Sequence, residues 1–184
     1  ALIYRLNELP ESRRTEWYEK FVKKTGIEIK KALAFNLHQL PEEKIIEWFE
    51  KLANIANNEI NETLANRLEN LPVEKREEWF GKFTEIANIR VKIELANNLK
   101  YLSEEKREKW FEKLIEKANT QVKVGLAYNL DCLPKEIMTK WFEKLAENAD
   151  NNVKKALVFS LKHLPEDQTE ECKKILNNFR TSII

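Results

Sequence analysis

Trp17, Trp48, Trp79, Trp110 and Trp141 are the only tryptophans in the chain, and each follows the last by 31 residues. The Leu-Pro pairs Leu9-Pro10, Leu40-Pro41, Leu71-Pro72, Leu133-Pro134 and Leu164-Pro165 keep the same step, with Leu102-Ser103 in the remaining slot. A fixed period of about 20–50 residues marks an array of stacked units, none of which buries its apolar face alone. The frame divides residues 1–184, taken as one domain, into a half repeat 1–9, full repeats 10–40, 41–71, 72–102, 103–133 and 134–164, and a half repeat 165–184. Each full repeat reads as two helices and each half as one, which predicts an all-α chain of twelve helices.

Local chemistry supports that division. The first helix is expected to begin at the proline, whose missing N–H has no partner at that position anyway, and to run from Pro41 to about Ala56 in the second full repeat. Acids follow in the first turn, where they complement the helix dipole. Ser103 is expected to cap with its hydroxyl. Trp48, Phe49, Leu52 and Ala56 fall on one side at helical spacing, as do Trp110, Phe111, Leu114 and Ala118. A turn with Asn57, Asn88, Asn119 or Asp150, and Gly26 in the first case, precedes the second helix. That helix places Ile60, Leu64, Leu68 and Leu71 on one stripe, repeated through Val153, Leu157, Leu161 and Leu164. Beside it runs a column of small residues, Ala34, Ala65, Ala96 and Ala127, enlarging to Val158. At the ends, Ile3 and Tyr4 match a lone second helix and Cys172 takes a tryptophan slot, with Lys173, Lys174 and Arg180 as a polar cap.

Few function classes survive the composition. Thirty-two basic and 31 acidic residues give a formal charge of +1, so no global field draws the chain to nucleic acid or anionic lipid. Cys132 and Cys172 are too few for a disulfide framework or zinc site and read as reduced thiols of a cytoplasmic protein. Phosphate loops, HExxH and GxSxG are lacking, and His38 and His163 stand 125 residues apart, so no enzyme, metal or cofactor is expected.

The segment Asp150-Asn151-Asn152-Val153-Lys154-Lys155-Ala156-Leu157 resembles the turn and second helix of a HEAT repeat, with Val91-Lys92 and Val122-Lys123 as further matches. The 31-residue step is similar to the short HEAT-like class of phycobilisome lyases. The resemblance implies a right-handed α-α superhelix, a HEAT-like solenoid whose second helices line a concave groove. On those helices, residues opposite the core stripe at 100° per residue form three columns. One reads Tyr4, Phe35, Asn66, Asn97, Tyr128, Phe159; another reads Lys31, Glu62, Ile93, Val124, Lys155; Tyr101 belongs to the third. Apolar and aromatic side chains on a face expected to be wet break the binary pattern, as interaction sites do.

The expected role is therefore a non-enzymatic scaffold that binds a protein or peptide through Ile93, Val124, Tyr128 and Phe159, extended by Phe35 and Tyr101. Lys155 and Lys162 would select acidic groups at the rim. A DNA-cradling protein, base repair included, is the alternative; it needs a contiguous basic surface for counterion release. A lyase or chaperone for a pigment-bearing protein follows only from the period. An excised or engineered repeat fragment without activity of its own is the remaining reading. The column His38, Glu69, Lys100, Asp131, Lys162 alternates in sign, so lateral ion pairs between neighbouring repeats are expected there. The tryptophans are read as packing, and the Lys20, Lys51, Lys82, Lys113, Lys144 column as a solvated face with Glu16, Glu47 and Glu78 at i−4.

Overall fold

The computed structural model describes residues 2–24, 26–86 and 88–181. Ile3, Tyr4 and Arg180 lie outside the described side chains. Among the described residues there are eleven α-helices and no strand. In order they are α1 (Glu11–Lys24), α2 (Ile27–Phe35), α3 (Glu42–Ala53), α4 (Asn58–Ala65), α5 (Val73–Thr84), α6 (Ile89–Asn97), α7 (Glu104–Glu116), α8 (Thr120–Tyr128), α9 (Lys135–Ala146), α10 (Asn151–Ser160) and α11 (Glu166–Thr181). In place of the expected opening helix, Leu2–Glu8 forms 3-10 turns interrupted at Arg5, where φ is −119° and ψ 17°. The chain divides into two compact units, residues 1–91 and 92–184, with the boundary inside α6.

Long and short helices alternate because the sequence starts and stops them differently. The long ones start one residue later than the proline rule implies. Pro41, Pro72 and Pro134 stand at the N-cap with ψ near 140–150°, and their carbonyls accept the first helical bonds, as Pro41 does from Lys44 at 2.8 Å. Ser103 adopts the same extended backbone and makes no side-chain cap, contrary to expectation. The short helices are capped as expected. Asn57 Oδ1 accepts from the N–H of Glu59 and Ile60, and Asp150 Oδ1 from those of Asn152 and Val153. Asn88 and Asn119 do likewise.

Each short helix ends sooner than its leucine stripe implies, passing into a single 3-10 turn at Leu37–Gln39, Leu68–Asn70, Leu99–Tyr101, Leu130–Cys132 and Leu161–His163. A polar side chain marks the break. Asn36, Asn98 and Asn129 donate from Nδ2 to the carbonyl four residues back at 2.8–2.9 Å, and Ser160 Oγ does the same at 2.9 Å. Such back-bonding competes with the helix ladder and bends it. The stripe nevertheless stays inside: Ile60, Leu64, Leu68, Leu71 and their counterparts are buried, except Ile29 and Leu161, which are half-buried.

In the N-terminal unit α2 packs beside α4, with α1 and α3 behind them. In the C-terminal unit α8 packs beside α10, and α9 beside α11. Ala34, Ala65, Ala96 and Ala127 are fully buried, as close helix approach requires, whereas Val158, assigned to the same column, is 53% exposed. At Gly125 an added Cβ would lie 3.1 Å from Ala96 Cβ and 3.2 Å from Asn97 Oδ1, so any side chain there would push α6 and α8 apart by a few tenths of an ångström. Behind the short helices Trp48, Trp79, Trp110 and Trp141 are buried and Trp17 is half-buried. Phe49 meets Trp79 at 5.2 Å between centroids, Phe111 meets Trp141 at 5.1 Å, and Tyr18 meets Trp48 edge-on at 5.4 Å. The tryptophan column is packing.

Arginines hold the turns. Arg14 donates to the carbonyls of Leu9, Asn7 and Gln39. Arg107 donates to those of Leu102, Lys100 and Cys132 in the same pattern. Arg76 shares the register and reaches Leu71 O at 2.7 Å and Glu69 O at 3.0 Å. Five donors in a fixed fork suit a guanidinium to satisfy carbonyls that a 3-10 turn leaves unpaired.

Candidate binding surface

In the C-terminal unit, Ile93 on α6, Val124 on α8 and Lys155 on α10 follow one another at the 31-residue step. They line a cavity of about 450 Å³ together with Thr120, Tyr128 and Asn152. Ile93 and Val124 are half-buried and Tyr128 is 46% exposed. Phe159, 47% exposed, meets Tyr128 edge-to-face at 5.3 Å. Lys162 Nζ sits 3.5 Å above the Phe159 ring, and His163 lies 6.0 Å from it on the other side of the sequence turn. Six of the eight expected site residues thus gather on α6, α8, α10 and the turn after α10.

The other two, Phe35 and Tyr101, do not join them. Phe35 belongs to the N-terminal unit, where the Arg67 guanidinium stacks on its ring at 3.8 Å and pairs with Glu69 at 3.3 Å. Tyr101 is half-buried on a 3-10 turn with Lys100 Nζ 5.2 Å from its ring. Neither lines the cavity.

Charge is distributed unevenly along the same register. Lys31, the N-terminal counterpart of Lys155, pairs with Glu59 at 2.7 Å and Glu28 at 3.4 Å. The hydrogen bond to Glu59 holds the Lys31 ammonium above its ordinary pKa and the Glu59 carboxyl below its own. Glu62 approaches Arg90 at 3.8 Å. Lys155 and Lys162, by contrast, have no carboxylate partner among the described residues.

The lateral ion pairs expected along the His38 column are not formed. Lys100 and Lys162 lie over aromatic rings, and Glu69 pairs with Arg67. Ties between short helices are made by other residues: Lys31–Glu59, Thr120 Oγ1 donating to Asp150 Oδ2 at 2.5 Å, Ser160 Oγ donating to Ala127 O, and Arg67 on Phe35.

The long-helix lysines behave as expected. Lys20–Glu16, Lys51–Glu47 and Lys82–Glu78 pair at 2.6 Å. Sequence reasoning missed that each lysine also rests on a tryptophan ring, at 5.2, 4.6 and 4.1 Å. It also missed the Asn36/Asn98/Asn129 and Arg14/Arg76/Arg107 columns, although both recur at multiples of 31 residues and were visible in the register.

Burial pushes the Cys132 thiol up to about 12 and the Cys172 thiol up to about 11, so both stay protonated and unreactive at neutral pH. Among the described residues no helix is long and apolar enough to cross a membrane. No family model matches the chain, and neither a curated protein nor a solved structure matches it.

Proposed function

We propose that the chain is a non-enzymatic binding scaffold of HEAT-like repeats, stacked as a right-handed solenoid, which holds a protein or peptide partner in the groove formed by the short helices. The observation that carries this reading is the cavity walled by Ile93, Val124 and Tyr128, continued by the exposed Tyr128–Phe159 pair. Aromatic rings with exposed edges on a rigid helical scaffold are the usual anchors of protein interfaces. The unreactive thiols fit a reducing compartment such as the cytoplasm.

Nucleic acid is the competing occupant, since aromatics beside unpaired lysines also suit stacked bases. The long-helix lysine column is interrupted in the N-terminal unit by acids at Glu16, Glu47 and Glu78 and so is no continuous basic track, which favours protein. Photo-crosslinking decides between the readings. Tyr128→p-benzoylphenylalanine, placed in the source cell, is expected to capture protein and to lose it when combined with Val124→Glu. The same crosslinker at Glu112, on an exposed long-helix position, is the control. Equal capture from both positions, or capture of nucleic acid alone from Tyr128, overturns the reading.

A further inference from the structure

The identity of the partner's docking segment is written in what the C-terminal short helices lack. Neither α8 (TQVKVGLAY) nor α10 (NNVKKALVFS) contains an aspartate or glutamate. The carboxylate at the head of α10, Asp150, is already engaged by Thr120 Oγ1 and by backbone N–H groups of Asn152 and Val153. Asp131, on the turn after α8, forms no ion pair with Lys162, which lies over Phe159 instead. Lys155 and Lys162 therefore present positive charge that this unit does not neutralise, whereas Lys31 at the matching position is neutralised by two glutamates.

Geometry places those charges around an apolar centre. Lys155, Phe159 and Lys162 stand at i, i+4 and i+7, so they form one row along α10 and the turn that follows it. Two turns separate the lysines, roughly 10 Å at 1.5 Å per residue, and three residues of a polyproline-II chain, at about 3.1 Å each and one full turn, span about the same length and return to the same side. Beside the row lies the cavity of about 450 Å³, in the size range of ligand pockets and open at Tyr128. Apolar surface flanked by unpaired like charges complements an acidic ligand with an apolar anchor, because each contact on its own is weak or unspecific.

We propose that the surface takes an acidic segment of a partner protein, with one large apolar side chain in the Ile93–Val124–Tyr128 cavity and carboxylates three residues apart on Lys155 and Lys162. This rests on the scaffold reading above and specifies its partner. The N-terminal short helices are not part of the site: Phe35, although 44% exposed, belongs to the other unit and lies outside the cavity, and Lys31 is paired.

Fluorescence anisotropy of the full chain against octapeptides tests it. One set carries Glu-x-x-Glu, with x drawn from Leu, Ile, Phe, Tyr and Trp; a second replaces the glutamates by lysine, and a third replaces x by serine. The first set is expected to bind about ten-fold more tightly than either other set, and to lose that margin in Val124→Glu. In the double variant Lys155→Glu, Lys162→Glu, the preference is expected to pass to the lysine set. Circular dichroism verifies that each variant keeps its helicity, and Lys155→Gln with Lys162→Gln, which removes charge without reversing it, replaces any variant that unfolds. Apolar peptides that bind whatever their charge and are lost in Val124→Glu would overturn the acidic partner and leave the scaffold reading standing. Binding unmoved by Val124→Glu, or no binding by any set, overturns the proposal. An oligothymidylate that binds more tightly than the first set and is lost in the lysine double variant overturns it in favour of nucleic acid.

Discussion

The two units carry the same plan of helices but close it differently. On the short helices of the N-terminal unit the charged groups of this register have partners: Lys31 holds Glu59 and Glu28, and Glu62 faces Arg90, while Arg67 stacks on Phe35. In the C-terminal unit the corresponding registers hold Ile93, Val124 and Tyr128 around a cavity, with Phe159 against Tyr128, and among the described residues Lys155 and Lys162 have no carboxylate partner. The long helices differ in the opposite sense. In the N-terminal unit one lysine rests on each tryptophan and is held by a glutamate four residues earlier. In the C-terminal unit two lysines flank each tryptophan, Lys109 and Lys113 on Trp110, and Lys140 and Lys144 on Trp141. Positions that repeat faithfully build the core; positions that drift decide what the surface does.

If the cores are equivalent, the largest stability losses should fall in the same range in the two units. Trp48→Ala and Trp141→Ala each remove a fully buried indole, and each is expected to cost about 3–5 kcal/mol by urea unfolding. Trp141 also donates from Nε1 to Glu108 at 3.3 Å, so its loss should be the greater of the two. A cost under about 1 kcal/mol at either site would break the equivalence.

The arginine fork supplies a sharper comparison. Arg107→Ala strands the carbonyls of Leu102, Lys100 and Cys132 and is expected to cost about 2 kcal/mol, near the value for hydrogen bonds to charged groups. Arg14→Ala, in the other unit, should match it. Arg107→Met should recover part of the loss, because Met138 occupies this register in the next repeat and is buried there. Two alanine variants that differ widely would show that the turns are held by different means.

A smaller effect has the opposite sign. Ala56 sits at φ 53°, a left-handed conformation that costs an L-residue roughly 1–2 kcal/mol, part of which glycine returns as chain entropy. Ala56→Gly is therefore expected to stabilise the N-terminal unit by about 0.5–1 kcal/mol, read as a raised Tm. No rise would mean that the turn relaxes at that residue.

The smallest effect is a titration. Hydrogen bonds from Lys75 and Lys82 hold the Glu78 carboxyl at about 2, below its ordinary 4.5. A depressed carboxyl contributes stability above the unfolded value and loses it as pH falls through the folded one, so the contribution should fade between pH 4.5 and about 2. Carboxyl NMR is expected to give that low midpoint for Glu78, and Lys82→Met should raise it. An ordinary midpoint in the parent chain would dissolve the pair.

Much of this was legible because it is local or strictly periodic. Asn57 and Asp150 cap within three residues, Trp48 and Leu64 follow from helical spacing, and Glu47–Lys51 is an i,i+4 pair. What stayed hidden depends on neighbours the register alone does not orient. Arg67, in the turn after the next short helix, stacks on Phe35, and Lys31 reaches Glu59 on that helix. Ser103 copies the extended backbone of proline and makes no side-chain cap. The candidate site fared similarly: the registers named its residues, but they do not show that Tyr128 walls a cavity and meets Phe159 while the equally exposed Phe35 does neither.

A chemical-shift map of the ¹⁵N-labelled chain titrated with the Glu-x-x-Glu peptides addresses the central difference between the units most directly. Perturbations confined to the amides of Ile93, Val124, Tyr128, Lys155 and Phe159, with Lys31 and Phe35 unmoved, are the expected result. Shifts centred on Lys31 and Phe35, or spread along the tryptophan-bearing helices, would contradict it.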